Sequence, residues 1–502
     1  MNWTYDWLLD YLDTKETARG IADKLTGIGL EVENLSAPSE PVAAKIVECS
    51  DIPDTHLHLL KVDDGKDIRQ VVCGAPNCRV GLVSALARPG CVVGGVEIKV
   101  GKIKGFESDG MMCSEKELGA GDDHGGIMEL KNAKLGEPWN GEKASDANAV
   151  FDAKVLANRP DYLAVRGIAR DLSATGIGKF IASRIPVIPA KAGTESRIPN
   201  PESRKIVIKN PERCPTYNFV EIRGIKIAPS CDKIASRLSA IGINPKNAPV
   251  DATNYVCFDI GQPMHCFDAD EIKGDIIIRN AKDGEKFTDL FDAEHILSAD
   301  DLVITDADGI LALAGVMGGK RGMTTDKTEN IILESAYFEP LGIRKTRRRL
   351  GLSTDSSYRF ERGIDPTMTT QALALASEII MKECGGKISA ASCVRAEFTG
   401  PKIKYDPKFF KRRIGFDVDE KTQKEILEKL GYEITVDREL WTVSCPPWRV
   451  DDAIAEKLTS DIVRICGYDR IADMNISPSP KMVDIKPVCE ENDFFAKTRR
   501  LV

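Results

Sequence analysis

Gly261-Gln262-Pro263-Met264-His265-Cys266-Phe267-Asp268, Ala314-Gly315-Val316-Met317-Gly318-Gly319 and Glu334-Ser335-Ala336-Tyr337-Phe338 set turn glycines, a lone histidine and a lone glutamate between apolar runs. An arginine-rich tract follows, ending Tyr358-Arg359-Phe360-Glu361-Arg362-Gly363. The pattern describes a small polar pocket beside a basic surface. Around it, Ile206–Ile208, Phe219–Ile222, Ile276–Arg279, Val303–Thr305 and Leu311–Leu313 read as strands. Ile234–Ile241 and a segment starting at Val250 read as helices, so 205–395 is expected to be one α+β domain.

Working toward the N-terminus, 181–204 repeats Ser-Arg-Ile-Pro at Ser183 and Ser196, is broken by Pro189, Gly193 and Pro201, and reads as a flexible insertion. Residues 1–38 read as two short helices, with Trp3, Trp7, Leu8, Tyr11 and Leu12 forming one apolar stripe. From Phe151 the chain returns to helix. There Asn158-Arg159-Pro160-Asp161 makes a turn and Asp161 is a candidate N-cap. Segments 1–38 and 149–180 are therefore paired as one helical module. Between them, 39–148 holds short apolar runs separated by turn residues, the pattern of a small β-barrel. Lys99, Lys102 and Lys104 could contact phosphate there, or simply line a solvated strand. His56 and His58 lack a third ligand for a metal.

Toward the C-terminus, the tract 343–363 carries Arg344, Lys345, Arg347, Arg348, Arg349, Arg359 and Arg362 against Asp355 and Glu361. Arg344 and Arg348 are candidate phosphate contacts, with a solvated face as the other reading. Residues 400–475 form a compact unit whose last helix ends at Gly467, and 476–502 holds too little apolar sequence for a domain.

The 502 residues exceed what one core supports and imply several domains. Fourteen scattered cysteines without a C-x-x-C pair suggest free thiols in a reducing compartment. No apolar run reaches about 18 residues, and the N-terminus has no secretory pattern. A net charge of −8 disfavours polyanion binding by the whole surface, so neither membrane nor DNA is expected as partner, while a local basic patch for tRNA stays open.

Val71-Val72-Cys73-Gly74-Ala75-Pro76-Asn77 and Ser108-Asp109-Gly110-Met111-Met112-Cys113-Ser114-Glu115 resemble the tRNA-binding OB-fold domain of several aminoacyl-tRNA synthetases. With Asn158–Asp161, Val250–Asp268, Ala314–Gly319, Glu334–Phe338 and Tyr358–Gly363 in the same order, the chain resembles the β subunit of bacterial phenylalanine–tRNA ligase. That resemblance implies a multidomain α+β chain: a helical N-terminal module with an inserted OB-fold barrel, an α+β editing domain of B3/B4 type and a small winged-helix-like B5-type domain. It also implies that 476–502 begins a catalytic-like domain, the family chain continuing well past residue 502.

The function implied is that of a cytoplasmic ligase subunit. It would bind phenylalanine tRNA and support ATP-dependent aminoacylation with an α subunit in a two-α two-β tetramer. Its own activity would be hydrolysis of tyrosine misattached to that tRNA. Glu334 and His265 would then read the phenol hydroxyl, Ala314 and Gly315 would bring backbone N–H groups to the ester, and Thr253 and Asn254 would support the substrate's amino or carbonyl group. No Ser-His-Asp or Cys-His set is evident, which favours direct attack by water. Left to the residues alone, His265 could equally be a structural turn histidine and Glu334 a strand-end acid. The family's Mg2+ would fall to Asp451 and Asp461, but Lys457 and Ser460 stand where two further acids are expected. A stand-alone editing hydrolase and a non-catalytic tRNA-binding chain are the alternatives.

Overall fold

The structure, a computed structural model, describes residues 1–36, 41–93, 96–118, 120–131, 133–139, 149–182, 204–449, 453–471 and 497–500. Most of the 181–204 insertion and most of 476–502, including the start of the expected further domain, lie outside the described residues.

Two eight-residue strands, Thr216–Arg223 and Asn330–Tyr337, pair antiparallel at the centre of the α+β region. Met264–Asp268 and Lys387–Arg395 flank them, giving a four-stranded antiparallel sheet. Because side chains alternate along a strand, each strand feeds two cores. Val220, Ile222, Cys266, Ile331 and Leu333 face the helices Ala248–Ile260 and Thr369–Cys384. Tyr217, Phe219, Phe267, Ile332 and Ala336 face a second, five-stranded sheet. That sheet runs Ile206–Ile208, Ile276–Asn280, Leu302–Thr305, Ile310–Leu313 and Met317–Gly318 in space, with its first pair parallel. The helix expected from Val250 starts at Ala248, where the Asn247 side chain accepts from the Val250 N–H at 3.1 Å. It stops at Gly261, whose φ of +82° suits glycine.

In the segment read as a barrel, Met111–Met112, Val83–Ala87, Val42–Asp51, His58–Asp63 and Ile68–Cys73 form one antiparallel sheet. The Asp109 N–H donates to Gln70 O at 2.8 Å and the Val72 N–H to Ser108 Oγ at 3.1 Å. These bonds return the 108–112 segment to the far edge, so the sheet nearly closes around Ile46, Leu60, Val62, Leu86 and Met112.

The N-terminal module departs from the expected pair of helices. Its helices are Tyr5–Leu9 and Ala18–Gly27, but Asn2–Thr4, Glu31–Ser36 and Val150–Lys154 make a three-stranded sheet. Phe151 is therefore in a strand, and helix resumes only at Val165–Ala174. Trp3 stacks on Phe151 with ring centroids 5.0 Å apart, a partner far along the chain that a local period cannot reveal. The module docks on the α+β region through the buried Asp259, which accepts from Trp7 Nε1 at 2.7 Å and from the Tyr11 hydroxyl at 2.6 Å.

The unit from Lys402 packs a three-stranded sheet (Lys402–Tyr405, Leu440–Ser444, Glu433–Asp437) on the helices Lys408–Ile414, Glu420–Lys429 and Ala455–Cys466. A buried ion-pair network ties it to the N-terminal module. Arg464 reaches Asp171 at 2.8 Å, and Arg159 reaches both Asp161 and Asp171 at 2.8 and 2.7 Å. Asp161 thus forms ion pairs with Arg159 and Arg170, and the helix Val165–Ala174 has no side-chain cap; the expected capping role is corrected.

Candidate active site between two sheets

His265 and Glu334 are direct register partners on adjacent antiparallel strands, so their side chains emerge side by side on the face toward the five-stranded sheet. Gln262 holds this edge: its Nε2 donates to Ala336 O at 3.0 Å. Cys266, one residue on, points to the helical core, as its alternation predicts. The cleft in front of the pair is lined by Leu313, Gly315, Met317, Gly318, Phe338 and Phe360 among others and offers about 60 Å³ of free space. A space this small leaves room for one side chain at most and none for a nucleotide.

Burial governs the electrostatics. Glu334 is 5 % exposed, and desolvation pushes its carboxyl up to about 8. Desolvation lowers the His265 imidazole to about 4. Both groups are therefore neutral near pH 7. The carboxylic acid can donate one hydrogen bond and accept others, and the imidazole offers one donor and one acceptor. His265 sits edge-on to Phe267 with centroids 4.5 Å apart, and its Nε2 is buried without a hydrogen-bond partner. No hydrogen bond or ion pair engages the Glu334 carboxyl among the described residues. A lone acid and a lone imidazole left unpaired in an apolar cleft cost stability, which a ligand hydroxyl would restore.

The Glu334 shift has a thermodynamic consequence. Its folded pKa is raised, so between the ordinary glutamate value and about 8 the folded chain holds more protons than the unfolded one. The contribution of Glu334 to stability then falls as pH rises through that window. Glu334→Gln is expected to remove this slope and to gain on the order of 1.4 kcal/mol per pKa unit at pH 8. Urea unfolding of both proteins at pH 5 and pH 8 measures it.

The glycine turn fits closely around the pair. Gly315 has a φ of +68°, and a Cβ there would meet Phe338 at 2.9 Å. A Cβ on Gly318 would stand 2.5 Å from His265 Cε1. Thr354 Oγ1 donates to Val316 O at 2.9 Å and pins the turn from the helix Asp355–Phe360. The Gly315 N–H has no hydrogen-bond partner among the described residues.

The other expected residues are placed differently. Ala314 is buried, its N–H bonded to Leu302 O, and it does not line the cleft. Thr253 and Asn254 lie on the helix Ala248–Ile260, which packs on the opposite face of the sheet; Thr253 Oγ1 donates to Val250 O of its own helix at 2.7 Å. Gly318, Phe338, Phe360 and Ser356 line the cleft without having been singled out. Gly318 was legible as part of a glycine turn. Ser356 had no sequence signal.

Lys99 is exposed, and Lys102 and Lys104 are exposed on the hairpin Gly101–Ile103 and Phe106–Ser108. The arginine tract divides. Arg344 and Arg348 are exposed one turn apart on the helix Pro340–Leu350. Arg347 instead pairs with Glu361 at 2.8 Å, Arg349 pairs with Asp301, and Arg359 is buried.

Asp461 does not fit the Mg2+ reading. Its carboxylate accepts from the Tyr432 hydroxyl at 2.7 Å and Arg464 Nε at 2.8 Å and also pairs with Arg449. Burial would raise its pKa, but Arg464 and Arg449 outweigh that and hold it at about 2. Its oxygens are committed to guanidinium groups, and Asp451 lies outside the described residues. Among the described residues no group of three His, Cys, Asp or Glu could hold a metal. No described helix is long and apolar enough to cross a membrane.

Three domain families match parts of the chain. A putative tRNA binding domain matches 42–138, a B3/4 domain matches 213–385, and a tRNA synthetase B5 domain matches 403–468. The last of these is a tRNA synthetase module. The chain is 39% identical over 490 residues to the phenylalanine–tRNA ligase β subunit of Mesorhizobium japonicum, covering 96% of this chain and 59% of that one. It is 38% identical over 481 residues to that of Zymomonas mobilis, covering 94% and 59%. Over the length it spans, the chain is similar to phenylalanine–tRNA ligase β subunits, as the sequence motifs implied. It spans 59% of the length of these curated relatives. An N-terminal fragment of the phenylalanyl-tRNA synthetase β subunit from Pyrococcus horikoshii aligns with a TM-score of 0.33 and 17% identity, covering 64% of this chain and 88% of that one, too low a likeness to bear on the fold.

Proposed function

We propose that this chain is the β component of a phenylalanine–tRNA ligase and that its cleft hydrolyses tyrosine esterified to phenylalanine tRNA. The observation that carries this reading is the adjacent, neutral, otherwise unpartnered pair His265 and Glu334 at the base of a side-chain-sized apolar cleft. A phenol hydroxyl can bond to both groups at once. A phenylalanine ring leaves both unsatisfied, and sites built around a substrate hydroxyl reject its absence strongly. The aromatic walls Phe338 and Phe360 suit either ring, so selectivity rests on the polar pair. The Gly315 N–H is the candidate donor to the ester oxygen as negative charge develops on it. Water is the nucleophile in this scheme, with Ala314, Thr253 and Asn254 acting through packing alone.

In this reading 1–38 with 149–180 is a mixed helix-and-sheet N-terminal module, 39–148 an OB-fold tRNA-binding barrel, 205–395 the editing domain and 400–475 a winged-helix-like B5 domain. Lys99, Lys102, Lys104, Arg344 and Arg348 meet tRNA phosphates. Aminoacylation itself, with its ATP, belongs to a cytoplasmic assembly of two such chains with two α subunits. Purified chain incubated with tyrosyl- and phenylalanyl-tRNA for phenylalanine is expected to release tyrosine selectively. Glu334→Ala is expected to slow that release by about 10- to 100-fold, the cost of one buried hydrogen-bonding group. Equal release of both amino acids would defeat the proposal.

A further inference from the structure

The barrel segment carries a pair of thiols that the editing reading does not use. Cys73 ends the strand Ile68–Cys73, and the turn after it brings Cys78 back over that end, closed by the Cys78 N–H donating to Ala75 O at 3.4 Å. Both are free thiols; their side chains pack on the core that holds Leu60, Val71 and Ile127, and the two sulfurs hydrogen-bond to each other. Asn77 fixes the turn through both halves of its amide. Its Nδ2 donates to Ile127 O at 2.8 Å, and its Oδ1 accepts from the Ile127 N–H at 2.9 Å. The thiols are therefore held against each other by bonds that do not involve sulfur.

The two sulfurs have different surroundings. Cys73 lines an open cleft with about 330 Å³ of free space, whose walls include Ser114, His124 and Gly126. The hydrogen bond from Cys78 lowers the Cys73 thiol below its ordinary range against the opposing effect of burial, and its register partner His58 acts in the same direction. The same bond, with burial, raises the Cys78 thiol. Cys49, two strands along the sheet, is raised by burial and by Asp51. A sulfur inclined to the thiolate at an open cleft, with a protonated thiol against it, is the arrangement of a peroxide-sensitive cysteine and its resolving partner.

We propose that Cys73 and Cys78 form a reversible oxidation site that closes to a disulfide when the chain meets hydrogen peroxide. The Cys73 thiolate attacks one peroxide oxygen; an S–O bond forms, the O–O bond breaks, and the departing hydroxide takes up a proton to become water. Cys78 Sγ then attacks the Cys73 sulfur. The S–S bond forms, the S–O bond breaks, and the expelled hydroxide leaves as water with the Cys78 proton. Two thiols are oxidised and one peroxide is reduced to two waters. A dithiol reductant restores the pair by exchange.

The test is peptide mapping of the full chain after graded hydrogen peroxide, with remaining thiols alkylated before digestion with trypsin. Cleavage after Arg69 and Arg79 gives a peptide, Gln70–Arg79, that holds Cys73 and Cys78 and no other cysteine. This peptide is expected to lose two hydrogens and both alkylation sites roughly tenfold faster than the peptide of the buried Cys113 is oxidised, and to regain both sites after dithiothreitol. Cys78→Ser is expected to stop at the Cys73 sulfenic acid, which dimedone traps. The digest of the unmodified chain decides the matter even where Cys78→Ser folds poorly. A Gln70–Arg79 peptide that stays reduced, oxidises no faster than the Cys113 peptide, or passes to sulfinic acid without the internal disulfide would overturn the proposal.

Discussion

Asp171→Ala is expected to cost about 3–5 kcal/mol and to loosen the C-terminal unit from the N-terminal module. Asp171 is 1 % exposed; its Oδ2 accepts from Arg159 at 2.7 Å and from the Tyr162 hydroxyl at 2.8 Å, and Arg464 stands 2.8 Å away. Burial would raise its pKa, yet Arg159, Arg464 and Arg170 more than offset that and hold the carboxyl well below the ordinary range. Removing it strands buried guanidinium groups in an apolar setting, the expensive way to break such a network. Since the folded pKa is depressed, the contribution of Asp171 is present above the ordinary aspartate range and is lost as pH falls below it. Urea unfolding with limited proteolysis should show the unit from Lys402 becoming cleavable before the α+β region. A loss under about 1 kcal/mol with one unchanged transition would mean that the network does not hold the modules together.

Gly318→Ala is expected to lower tyrosine release by about 100-fold while costing about 1–3 kcal/mol of stability. The added carbon would lie 2.5 Å from His265 Cε1 and 3.0 Å from its Nε2, so the ring must turn away from the cleft. Gly318 is in the short strand Met317–Gly318, and its φ lies outside the left-handed range, so backbone strain adds nothing. The effect therefore reports on ring placement. A mis-set His265 should reduce the preference for tyrosine over phenylalanine along with the rate. Rates measured on both mischarged and correctly charged tRNA separate this from simple unfolding.

His265 and Glu334 were readable as a lone histidine and a lone glutamate, each in a largely apolar strand. Their adjacency was not readable, since it comes from the pairing of Met264–Asp268 with Asn330–Tyr337 across a long intervening segment. The same limit explains the misreadings. Trp3 and Phe151 look helical in local spacing but belong to strands that find each other from opposite sides of the barrel segment. Asp161 has the residue type and place of a helix cap, yet two arginines, one from the preceding turn and one from the helix itself, take its carboxylate. Arg359 counts toward a basic run in sequence, but in space it is a core residue stacked 4.2 Å over Phe258. Thr253 and Asn254 are near His265 in sequence, but the turn at Gly261 sends the strand to one layer and leaves their helix in another. What local sequence could settle was most of the strand and helix content of the α+β region. Which polar groups meet was decided by register.

The central claim is that His265 and Glu334 read one hydroxyl, and it can be measured without catalysis. Calorimetric titration of the full chain with non-hydrolysable tyrosyl- and phenylalanyl-adenosine amides compares the two rings directly. The tyrosyl compound is expected to bind about 10- to 100-fold more tightly, an advantage that Glu334→Ala should abolish while leaving the phenylalanyl affinity nearly unchanged. Equal affinities in the unmodified chain, or a tyrosyl preference that survives Glu334→Ala, would contradict the account.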